Sequence, residues 1–166
     1  MSEKKIKRSL FATFINTTPS GESNTYVRMG KGVTEQKISY NPTVNSEQYI
    51  DEDSATSSVD GYAPSINTPQ TCYKDEAVFE YIDKLRRDRA IGADAETDIL
   101  LVYMYASVTG GGYEAEKNKV AISIEEFGGS AADPVSITYT LNFVGDPVKG
   151  TASVSAGTVT FTEASA

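Results

Sequence analysis

Lys74-Asp-Glu-Ala-Val-Phe-Glu-Tyr-Ile-Asp-Lys-Leu-Arg-Arg-Asp-Arg89, and the run Thr97-Asp-Ile-Leu-Leu-Val-Tyr-Met-Tyr105 that follows it, decide how this chain folds. Val78, Phe79, Ile82 and Leu85 recur at helical spacing and share one face. Asp75, Glu76, Glu80 and Asp83 stand towards the start of the segment, and Lys84, Arg86, Arg87 and Arg89 towards its end. The helix macrodipole favours that order. The pattern predicts a helix over about residues 75–91, ended by Gly92 in the left-handed conformation. A helix with one apolar stripe must bury it. Residues 97–105 are the most apolar strand, and the rest of the chain reads as strands, turns and one long polar excursion. The helix therefore has only a sheet to pack on.

A chain of 166 residues suffices for a single domain, residues 1–166, with a real core. It has no histidine, which removes the usual general base near neutral pH and the commonest metal ligand. The single cysteine, Cys72, excludes an intrachain disulfide and a Cys-rich zinc site. Without a histidine partner it reads as a semi-buried small residue before the helix, not as a nucleophile. Residues 1–8 are a charged leader, expected to be mobile, with too short an apolar run behind it for a secretory signal. No stretch approaches the ~20 apolar residues of a membrane span. The expectation is a soluble chain made in a reducing cytoplasm, with no membrane binding. Its net charge of −8 argues against holding nucleic acid through a basic patch.

Leu10–Asn16 and Tyr26–Met29 read as strands separated by a loop at 17–24. From Val33 to Ile50 apolar residues thin out, and Pro42 argues against a central strand position. Residues 33–60 are read as an extended arm of two twisted strands, with 51–60 as its loop or return. That return, Asp51-Glu-Asp-Ser-Ala-Thr-Ser-Ser-Val-Asp60, has four acids and no base. It is either a solvated loop or a segment that orders on meeting another subunit. Gly110-Gly-Gly112 lies in a loop at 107–116. Val120, Ile122 and Ile124 alternate with polar or small residues, as do Val135, Ile137, Tyr139, Leu141 and Phe143. Gly145-Asp-Pro-Val-Lys-Gly150 reads as a turn into the next strand, and a last hairpin crosses Ala156-Gly157. The fold class is mainly β: a sandwich or partly closed barrel of about seven to nine strands with one flanking helix.

Catalytic motifs are missing. There is no phosphate loop, no His-Glu-x-x-His, no Gly-x-Ser-x-Gly and no calcium loop. Adjacent carboxylates such as Glu125 and Glu126 point to opposite faces of a strand and cannot share a substrate. Arg86, Arg87 and Arg89 complement the helix dipole, or pair with acids of another subunit. No enzyme activity, cofactor or metal is expected.

Gly61-Tyr-Ala-Pro-Ser65, the helix with its Val-Phe-Glu-Tyr-Ile core, Ile91-Gly-Ala-Asp-Ala95, Thr97–Tyr103 and the opening Arg8-Ser-Leu-Phe-Ala-Thr-Phe14 together resemble the major tail tube proteins of long-tailed bacteriophages, siphophage type. The likeness rests on order and spacing over most of the chain, not on any invariant motif. It implies six subunits to a ring, inner strands joined into one barrel around a channel, and rings stacked into a tube. It implies that the arm at 33–60 reaches the neighbouring ring, helped by the leader; individual contact residues do not transfer with the likeness, and Tyr49, Ile50, Asp51, Glu52, Asp53 and Asp60 are the candidates on the arm itself. The implied partners are further copies of the chain, a tape measure protein, tail tip or baseplate proteins and a tail terminator, with phage DNA only in transit. The implied location is the virion tail, assembled in the host cytoplasm.

Two physical points accompany the resemblance. Joining sheets around a ring pairs strand edges that would otherwise template aggregation. Six copies would carry roughly −48, which either lines the lumen and lets DNA slide or serves solubility alone. A carbohydrate-binding or adhesin-type sandwich is the alternative function, with the ten tyrosines as stacking platforms.

Overall fold

A computed structural model describes residues 3–165. Ten strands and one helix follow in the order β1 (Phe11–Asn16), β2 (Tyr26–Arg28), β3 (Lys37–Ser39), β4 (Pro42–Glu47), β5 (Thr56–Tyr62), β6 (Ser65–Thr71), α1 (Ala77–Asp88), β7 (Glu96–Ser107), β8 (Tyr113–Gly128), β9 (Ser136–Ser155) and β10 (Thr158–Glu163). The main sheet runs β2-β1-β7-β8-β9-β6-β3, with β10 paired to the later half of β9; β4 and β5 form a separate hairpin. All pairings are antiparallel.

The long strands β8 and β9 let one sheet enclose two cores. On one side α1 lies over Ile15, Ile66, Ile99, Leu101, Val120, Ile137 and Leu141. On the other, Phe14, Leu100, Val102, Ala115, Ala152 and Val159 pack together under β10, which approaches β2. Residues 99–102 of β7 are therefore buried on both faces, which explains their unbroken apolar run. The sheet curls towards a barrel but stays open, because β2 and β10 are not paired among the described residues.

The helix holds its place by burial. Val78, Ile82 and Leu85 are buried and Phe79 is partly so. Each fully buried aliphatic contributes about 1.5–3 kcal/mol. The exposed Lys84–Asp88 pair on the outer face is worth about 0.3–0.5 kcal/mol. Glu76 is the N-cap, accepting from the backbone N–H of Val78 at 3.2 Å and Phe79 at 2.7 Å.

Several expectations need correction, and one strand, Ser65–Thr71, lies where the sequence reading assigned no element. The helix spans residues 77–88, and Arg89, not Gly92, adopts the left-handed conformation that ends it. Its N–H is spent on the carbonyls of Leu85 and Arg86, so the turn closes before glycine is reached. Gly92 opens a short 3₁₀ turn instead. Residues 145–150 are not a turn. Lys117 faces Val148 and Lys119 faces Val144, so Gly145, Asp146 and Pro147 bulge opposite Asn118 while β9 runs on. Tyr113–Glu116 belong to β8, not to the preceding loop. Val135 precedes β9 and is half exposed. Ser65–Thr71 is a strand despite Pro69, which stands beyond the end of β3.

Candidate assembly surface

The β4–β5 hairpin continues the β3–β6 ladder past the body of the sheet. Ser39 pairs with Ser65, the Ala63 N–H donates to the Tyr40 carbonyl at 3.0 Å, and Pro42 pairs with Tyr62. Pro42 is tolerated because this ladder has only two strands. A bulge after Thr43 resets the register so that Val44 faces Val59. These two valines are 56% and 55% exposed, which is unusual for a cross-strand β-branched pair that would normally be covered.

Tyr49, Ile50, Asp51, Glu52 and Asp53 lie at the tip of the hairpin, and Ile50 is wholly exposed. The tip is shaped by local bonds. The Glu52 N–H donates to the Tyr49 carbonyl at 3.1 Å, and Gln48 Nε2 donates to the Glu52 carbonyl at 3.0 Å. The Tyr49 hydroxyl and Asn45 amide both donate to Glu47, at 2.8 and 3.2 Å, and these bonds hold its carboxyl below the ordinary range. Asp60 lies in β5 near the hairpin base, away from the tip, and accepts from Ser58. The helix face Val78, Phe79, Ile82 and Leu85 lies in the body and is separate from this surface.

Residues that the sequence reading did not single out complete the surface. Tyr40 and Tyr62 flank the hairpin root, their rings 6.3 Å apart at 82°. Beside them lies an open cavity of about 780 Å³ bordered by Tyr103, Glu116, Asn118 and Phe143. Tyr103 donates to Glu116 at 3.1 Å; burial first, then the Glu116 charge, pushes its phenol well above the ordinary range. Burial likewise pushes the Cys72 thiol up, away from the reactive thiolate. Among the described residues no group of three or more acids or cysteines is placed to hold a metal ion, and no helix is long and apolar enough to cross a membrane.

The remaining edges of β2, β3 and β10 carry backbone groups without a strand beside them. An open sheet and a bare hairpin describe a surface suited to association. Over 86% of this chain and 97% of the other, the structure matches a chain from the tail of an empty gene transfer agent particle with C6 symmetry, at a TM-score of 0.59 and 15% identity. The chain shares the backbone fold of that particle's tail chain. A second match, to a chain in the virion of a native gene transfer agent particle, covers 86% of this chain and 97% of that one, at a TM-score of 0.58 and 13% identity. No protein-family model and no curated protein matches the sequence. At such identities the likeness is one of backbone architecture, and contact residues do not transfer with it.

Proposed function

We propose that this chain is a non-enzymatic structural protein of a phage tail, the repeating subunit of rings stacked into a tube. The carrying observation is the hairpin: Val44, Val59, Tyr49 and Ile50 stand in solvent on a two-stranded arm that no element among the described residues of its own subunit covers. A two-stranded ribbon of this kind is marginal alone in water, so a neighbouring subunit gives it a physical reason to persist. The fold shared with a six-fold symmetric tail supports a ring of six. The open edges support closure of that ring by strands of adjacent copies.

In this reading the arm at residues 42–62 reaches a neighbouring copy, with Tyr49, Ile50, Asp51, Glu52 and Asp53 as contact residues. The tube is a passage for DNA, and the chain's net charge of −8 keeps the polyanion from adhering to it. Tube termini would meet a tape measure protein, a tip or baseplate and a terminator.

Negative-stain electron microscopy of the purified chain over a concentration series tests the reading. Rings or hollow tubes of uniform width are expected. Single molecules at every concentration would refute it.

A further inference from the structure

Charge along this chain is segregated, and neither block is neutralised within the subunit. No lysine or arginine lies between Lys37 and Lys74, an interval that holds Glu47, Asp51, Glu52, Asp53 and Asp60. The leader carries Lys4, Lys5 and Lys7 around Ile6. The ion pairs of the described residues are Lys37–Glu35, Lys84–Asp88, Arg86–Asp83, Arg87–Asp83 and Lys119–Glu96; none draws on the hairpin acids or the leader lysines. Arg8 differs, being spent on the Phe11 and Gln36 carbonyls and on the Phe11 ring.

Each block also carries apolar surface. Ile6 is 60% exposed, and the Val44–Val59 pair is bare. Lys7 has extended backbone, φ −72° and ψ 141°. A basic segment with one exposed aliphatic side chain thus has a counterpart of opposite charge with exposed valines.

We propose that residues 4–7 of one copy dock on the β4–β5 hairpin of a second copy, with Ile6 against Val44 and Val59 and the lysines against Glu47 and Asp51–Asp53. This inference rests on the tube reading, since it supplies one contact between the copies. It makes assembly salt-sensitive, because exposed ion pairs are screened within about 8 Å at physiological ionic strength.

The test uses two charge-reversed full-length chains, one carrying Lys4→Glu, Lys5→Glu and Lys7→Glu, the other Asp51→Lys, Glu52→Lys and Asp53→Lys. Circular dichroism checks that both fold, and sedimentation and electron microscopy read the concentration at which each assembles. Each variant alone should need about tenfold more protein than the unaltered chain, as three lost surface pairs imply. An equimolar mixture should recover the original threshold, because the acidic leader of one copy meets the basic hairpin of the other. Variants that assemble alone at the original threshold would overturn the proposal. So would a mixture that stays soluble while a chain carrying all six changes assembles, since the contact would then lie within one subunit. If the unaltered chain never assembles, the tube reading falls first and this contact with it.

Discussion

Tyr139 donates its hydroxyl to Gln70 Oε1 at 2.9 Å, joining β9 to β6 beneath the helix. Gln70 Nε2 in turn donates to Glu76 Oε2 at 3.1 Å, and the same carboxylate caps α1. One line of hydrogen bonds therefore ties the sheet interior to the start of the helix. Tyr139 and Gln70 are both buried, so these two must find their partners inside the protein.

Tyr139→Phe should cost about 1–3 kcal/mol, because the Gln70 acceptor is left unpaired in a dry site. Urea denaturation measures it. An unchanged midpoint would mean that Gln70 has another donor.

Glu76→Ala should cost about 0.5–2 kcal/mol through loss of the N-cap. Combined with Tyr139→Phe, the loss should differ from the sum of the two, since both belong to one network. Strict additivity in the double variant would break the network into independent contacts.

Stability should fall in alkali. Burial holds the phenols of Tyr139 and Tyr103 protonated above their ordinary range, with the charges of Glu76 and Glu116 as the second cause. The unfolded chain sheds these protons as pH passes about 10, while the folded chain keeps them. The folded state then binds more protons, so its advantage is full below that pH and shrinks above it. Denaturation midpoints should hold level to about pH 9 and decline from about pH 10 upward, and Tyr103→Phe should flatten the decline. A variant with the original slope would assign the alkaline loss to other groups.

Gly150→Ala should loosen the last hairpin. A Cβ at Gly150 would run into the Thr162 carbonyl oxygen and the Phe161 ring, where β10 crosses β9 closely. The expected cost is about 1–3 kcal/mol. Hydrogen exchange should quicken in residues 158–163; full protection there would show that β10 can move aside.

Replacing residues 44–59 by a short turn should leave the body folded, because β4 and β5 pair only with each other. Under the proposed function the shortened chain stays soluble and forms no tubes. Normal tubes from it would remove the hairpin from the assembly surface.

Some of this was legible in the residues. The helical stripe, the alternation through Ile137, Tyr139 and Leu141, and the Ala156-Gly157 turn are local patterns, set by the 3.6- and 2-residue periods and by backbone sterics. Both residues of that turn do have positive φ, 50° and 81°. The acidic excursion was likewise visible as composition, since no lysine or arginine lies between Lys37 and Lys74.

What the tertiary structure decided depends on partners far along the chain. Gly145-Asp-Pro-Val-Lys-Gly150 has the composition of a turn, yet β8 opposes both of its flanks and makes it a bulge. Ser65–Thr71 has little strand pattern, yet β9 pairs with every residue of it. Val44 meets Val59 only because a bulge shifts the hairpin by one residue. Local sequence sets which conformations a segment can adopt, and the strand that arrives beside it selects one. The reason is that backbone hydrogen bonds and buried faces are satisfied only in pairs.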